Sequence, residues 1–136
     1  GPGRRMAMLE RNALCSVWKN YQPERGQRMF GCALALAAER ARLEPGRREA
    51  CEQGVLEATA LLPAMEEKRR AIAARRKRSD DEIVPLFREP WRPAIGGDPY
   101  RARQAAVTAA FGVDELLPPE SDETAGRTRE ETARCA

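Results

Sequence analysis

The sequence predicts an all-α fold: a small antiparallel helical bundle, or a helical hairpin with a long third helix, then a docked proline-rich extended arm and a disordered acidic C-terminal tail. Three observations carry this. Apolar side chains recur at spacings of three and four in three successive segments, the period of one helix face. Prolines and a Pro-Gly pair fall where helices start and stop. Alanine is abundant while the aromatics are only Trp18, Tyr21, Phe30, Phe87, Trp91, Tyr100 and Phe111, which favours thin helix contacts over a large core. At 136 residues the chain is one domain or less.

Gly1 and Pro2 read as a cleavage scar, so residues 1–3 are set apart as an N-terminal extension. The helical domain spans 4–79. Its first helix places Met6, Leu9, Ala13, Val17 and Tyr21 on one apolar face. Pro23, welcome at a first helical position, opens the second. There Met29, Ala33 and Leu36 form one row and Phe30, Leu34, Ala37 and Ala41 the next, a stripe wide enough for two neighbours. Pro45-Gly46 stops it.

The third helical pattern begins near Arg47. Cys51, Val55, Ala58, Leu62 and Met65, continuing through Arg69, Ile72 and Arg76, form a heptad seam. Unbroken, residues 47–78 would reach roughly 48 Å. Pro63 inside it predicts a kink or a restart. The seam is apolar up to Met65 and mostly basic beyond, so its first half packs and its second half projects. A small chain with few aromatics and such a seam is predicted to self-associate as a dimer or higher oligomer through Cys51, Val55, Ala58, Leu62 and Met65.

The arm is assigned to residues 80–98; from Ile83 to Tyr100 the grammar changes, prolines and a Gly-Gly pair excluding a helix, while Leu86, Phe87, Trp91 and Ile95 are too apolar for a solvated linker. An extended arm docked on its own helices or on a partner fits this composition. Pro90 and Pro93 lack the Arg placement of an SH3 ligand. Residues 99–117 form a short helix and turn, opened by Asp98 and Pro99, stopped at Gly112, and buried through Tyr100, Val107 and Phe111. Residues 118–136 are polar, acidic and Pro-Thr-Glu-rich, a disordered tail.

Composition narrows the function classes. No histidine is present, so neither a Cys–His pair nor a Ser–His–Asp triad is available. Glycine-rich phosphate loops are also missing. The sequence therefore predicts a protein that is not an enzyme, with no cofactor, metal or small-molecule substrate. Cys15, Cys32, Cys51 and Cys135 are widely spaced, with no C-x-x-C pair, which reads as free thiols in a reducing, intracellular setting. The longest uncharged stretches, "MFGCALALAA" and "QAAVTAAFGV", are ten residues each, far short of a membrane span.

Charge is divided along the chain. Residues 1–79 hold 17 basic and 9 acidic side chains, residues 80–136 hold 7 and 12. The first half therefore suits an anionic partner or the acidic half of the same protein. Arginine outnumbers lysine 21 to 3; its planar fork matches phosphate and carboxylate. Seven cations, Lys68, Arg69, Arg70, Arg75, Arg76, Lys77 and Arg78, crowd into eleven residues. Read as a helix end, they are a solvated terminus complementing the dipole, a phosphate-contacting surface, or, through "RRKR", a nuclear import address. If all seven met duplex DNA, the salt slope of binding would be on the order of −6. Ser79, followed by "DDE", reads as an acid-directed kinase site whose phosphate would add about −1.5 to −2 charges beside the cations. The chain is thus expected to be a non-catalytic adaptor or scaffold, with nucleic-acid binding through 68–78 as the alternative.

Overall fold

The computed structural model describes residues 1–84 and 98–116. Six helices run in the order α1 (Pro2–Asn20), α2 (Pro23–Leu43), α3 (Arg48–Arg75), α4 (Asp80–Ile83), α5 (Asp98–Ala110) and α6 (Val113–Leu116), and no strand occurs among the described residues. The all-α class is as the periodicity indicates. Leu86, Phe87, Trp91 and Ile95 of the arm, and the tail at 118–136, lie outside the described residues.

The long helices go up, down and up. Glu10 meets Arg40 and Trp18 meets Phe30, so α1 and α2 are antiparallel. Arg4 meets Glu57 and Trp18 meets Glu66, so α1 and α3 run parallel, joined through α2. Proline sets the starts of α1 and α2 at their first turns. Gly46, at φ 75°, makes the turn from α2 to α3 in a region that other residues avoid.

The α1–α3 crossing is close where Gly54 of α3 meets Ala7 of α1, and Ala50 and Ala58, four residues to either side of Gly54, are buried as well. A Cβ at position 54 would stand 2.7 Å from the Ala7 carbonyl oxygen and 2.7 Å from the Glu10 Cβ. This corrects the face expected for α1. Its buried row is Ala7, Leu14 and Cys15, with Trp18 packed beside them, whereas Leu9 is 61% exposed. Both rows have helical spacing, and the position of Gly54 selects the one carrying Ala7.

Two clusters make up the core. Leu14, Cys15, Ala58 and Met65, with Trp18, Phe30, Ala33, Leu34 and Val55, join α1, α2 and α3. Trp18 and Phe30 meet edge to face at 5.0 Å. Cys32, Leu36, Val107 and Val113, with Met29, Ala35 and Phe111, pack the short C-terminal helices on the outer side of α2. The wide stripe of α2 therefore serves neighbours on both sides. Tyr100 and Val107 are buried and Phe111 half-buried, as their spacing indicates.

The helix α3 passes through Pro63 without a break, and Pro63 is exposed. Buried Ala58 and Met65 on either side offset the roughly 3 kcal/mol that an internal proline costs. It ends at Arg75, three residues before the end of the cation run, because Arg76 turns extended. Ser79 then caps α4 in a reciprocal capping box: Ser79 N–H donates to Glu82 Oε2 at 2.8 Å, and Glu82 N–H donates to Ser79 Oγ at 3.3 Å. The first residues of the expected arm, 80–83, are thus one helical turn.

Candidate functional site

Asp80 is the pin at the end of α3. Its Oδ2 accepts the Gln22 N–H at 2.6 Å, its own N–H donates to Gln22 Oε1 at 2.7 Å, and its Oδ1 accepts Arg76 Nη1 at 2.7 Å. Arg76 also donates to the Asn20 carbonyl, and Arg25 pairs with the neighbouring Asp81 at 2.9 Å. The turn after α3 is thereby fastened to the junction of α1 and α2. Burial, followed by the nearby Asp80 charge, pushes the Tyr21 hydroxyl above its ordinary pKa.

This fastening splits the seven cations into two groups. Arg69 lies over the Trp18 ring at 5.3 Å and pairs with Glu66 at 3.0 Å. Glu66 also accepts from Trp18 Nε1 at 3.2 Å, and the Arg69 hydrogen bond is the largest cause holding its carboxyl below the usual range. Arg69 and Arg76 are therefore fold residues. Arg70 is 76% exposed and reaches Glu66 only at 3.5 Å. Lys68, Arg75, Lys77 and Arg78 are exposed and form no ion pair with any described residue. Arg75, Lys77 and Arg78 rim an open groove of about 590 Å³ with Asn20, Ala71, Ile72 and Ile83.

A second groove, about 690 Å³, runs between α2 and α3. Its floor is Leu34, Ala37, Ala38, Ala41 and Val55, and Leu56, 70% exposed, stands at its lip. Arg42, Arg48 and Glu52 edge it. The seam meets different surroundings: Cys51, Ala58 and Met65 are buried within the chain, and Val55 and Leu62 are half-buried. Ala58 and Met65 of the seam pack with Leu14 and Cys15 of α1, and Val55 lies beside them with Phe30, Ala33 and Leu34 of α2.

Beneath this groove a buried polar network ties four helices together. Arg40 of α2 donates from Nε to Glu10 Oε1 of α1 at 2.7 Å, from Nη2 to Glu10 Oε2, and from Nη1 to the Tyr100 hydroxyl of α5. Its guanidinium also lies over the Tyr100 ring at 5.6 Å, and Cys51 Sγ of α3 donates to Glu10 Oε1 at 3.8 Å. Burial works against the Arg40 charge, but the hydrogen bonds and charge of Glu10 outweigh it and hold the guanidinium above its ordinary pKa. Sequence reasoning missed this network, since Glu10, Arg40 and Tyr100 have no local pattern.

Burial raises the pKa of Cys15, Cys32 and Cys51, which favours the thiol over the reactive thiolate. No group of His, Cys, Asp and Glu among the described residues is placed to hold a metal ion. No helix among them is long and apolar enough to cross a membrane. Compared with known proteins, the chain matches no family model, no curated protein and no solved structure.

Proposed function

We propose that the protein is a non-catalytic helical interaction and assembly protein, and that it pairs with a second copy of itself through the groove between α2 and α3. The observation that carries this is Leu56, 70% exposed on the lip of an apolar floor. An apolar helix-sized groove accepts an amphipathic helix through a few anchors spaced by turns. A twofold contact must be self-complementary, and this rim holds both signs: Arg48 and Glu52 are exposed and form no ion pair among the described residues. Two copies related by a twofold axis would set Leu56 into the opposite groove and Arg48 against the other Glu52. The raised pKa values of the three buried thiols favour a non-catalytic reading, as does the absence of histidine.

Light scattering at micromolar concentration tests it. The unaltered protein is expected to run as a dimer, and Leu56→Glu as a folded monomer with unchanged far-ultraviolet circular dichroism. A monomeric unaltered protein across the accessible concentration range overturns the proposal.

A further inference from the structure

We infer that the cation-rimmed groove at the end of α3 binds the phosphodiester backbone of nucleic acid without reading its bases. The inference stands apart from self-association, which uses another face. Three features of the groove support it. Arg75, Lys77 and Arg78 line one opening with no acidic partner among the described residues. The backbone that carries them is held in place: Arg76, between Arg75 and Lys77, is bonded to Asp80 and to the Asn20 carbonyl. Extended backbone at Arg76 sends its side chain inward and leaves Lys77 exposed to solvent. A surface fixed before binding loses less freedom when it binds.

The partner's chemistry follows from the lining. Arginine forks and an asparagine are side chains that contact phosphate and sugar. The floor, Ala71, Ile72 and Ile83, is apolar but short, and among the described residues no aromatic ring lines it as a platform for stacking bases. An acidic amphipathic helix would need a longer series of apolar pockets than these three side chains provide. Two effects oppose the inference: the C-terminus of α3 carries about −0.5 of an elementary charge, and the exposed Asp81 and Glu82 follow shortly after Arg78. Three full cations outweigh that fraction, and both carboxylates are engaged elsewhere, Asp81 with Arg25 and Glu82 with Ser79.

The structure also changes the expected salt dependence. With Arg69 and Arg76 committed to the fold, the seven-cation slope does not apply. At about −0.9 per cation on duplex DNA, Arg75, Lys77 and Arg78 give a slope of about −2.7, and adding Lys68 and Arg70 brings it to about −4.5. Affinity should therefore fall between roughly 40-fold and roughly 500-fold from about 50 to about 200 mM salt.

Fluorescence anisotropy of the full chain with a labelled duplex DNA and a labelled single-stranded RNA, across that salt range, tests this. Arg75→Ala/Lys77→Ala/Arg78→Ala is expected to lose at least tenfold in affinity at the low-salt end and most of the slope. Arg5→Ala/Arg101→Ala/Arg103→Ala, which removes the same charge elsewhere, is expected to leave both nearly unchanged. Circular dichroism and denaturation midpoints confirm that both triple variants are folded, and Arg75→Lys/Arg78→Lys should keep most of the binding. The inference fails if neither probe binds at low salt, or if the two triple variants lose affinity equally. It also fails if a labelled polyglutamate peptide binds more tightly than either nucleic acid, which would assign the groove to an acidic protein partner.

Discussion

Gly54→Ala is expected to destabilise the protein, against what helix propensity alone would say. In a free helix interior the change gains about 1 kcal/mol. At Gly54 the added methyl would stand 2.7 Å from the Ala7 carbonyl oxygen, 2.7 Å from the Glu10 Cβ and 3.3 Å from the Arg11 backbone nitrogen. Two of these three atoms are backbone, so relief requires α1 to move rather than a side chain to rotate. Overpacking of this kind costs about 1–3 kcal/mol, which exceeds or cancels the propensity gain and leaves a net loss of about 0–2 kcal/mol. Moving α1 also disturbs Glu10, whose carboxylate is bonded to Arg40, so the upper half of that range is expected. Guanidinium denaturation followed by circular dichroism measures it. The exposed Ala60, on the same helix, supplies the control: Ala60→Gly should cost about 1 kcal/mol by propensity alone. A Gly54→Ala protein more stable than the unaltered one, alongside a normal Ala60→Gly loss, would refute the close crossing of α1 and α3.

Arg40→Met removes the hub of the buried network and strands Glu10, so it should cost about 3–5 kcal/mol; Glu10→Leu/Arg40→Met should recover part of that, and a single-variant loss below about 1 kcal/mol would show the network to be solvated. In a Cys135→Ser background, Cys15, Cys32 and Cys51 should react with an aromatic disulfide reagent only as fast as the protein opens. Because opening limits the native reaction, raising the pH through the ordinary thiol range should speed the reaction of the unfolded chain far more than that of the native one. Equal rates for native and unfolded protein would contradict the burial of these thiols.

Punctuation was legible in the sequence because it acts locally. Pro23, the Pro45-Gly46 stop and Asp98-Pro99 set element ends through their own backbone preferences, and all three mark ends in the structure. Faces were legible only where one apolar row stood alone. On α1 two rows had helical spacing, and the choice between them depended on Gly54, more than forty residues away. The glycine was visible, with Ala50 and Ala58 four residues to either side, and that small-residue spacing is the signal that would have placed the crossing. Ser79 and Glu82 were visible too. Their three-residue spacing is that of the capping box they form.

The cation run shows why a charge pattern underdetermines a surface. Arg69 and Arg70 are neighbours of identical chemistry, yet one lies against Trp18 and the other is 76% exposed. Arg76 and Arg78 differ as sharply, since only Arg76 is within reach of Asp80 and the Asn20 carbonyl. Nothing in the run itself separates them; the aromatic ring and the main-chain acceptor that do so come from α1. Reversing Arg75, Arg76 and Arg78 together to glutamate would therefore test two things at once. Glutamate at 76 would face the nearly buried Asp80 carboxylate, and the repulsion would release the turn from the start of α2 whether or not any phosphate binds there. Loss of binding in that triple variant would carry no information about the groove. Variants that spare Arg69 and Arg76 separate the two roles, because they change the charge of the rim and leave its anchors in place.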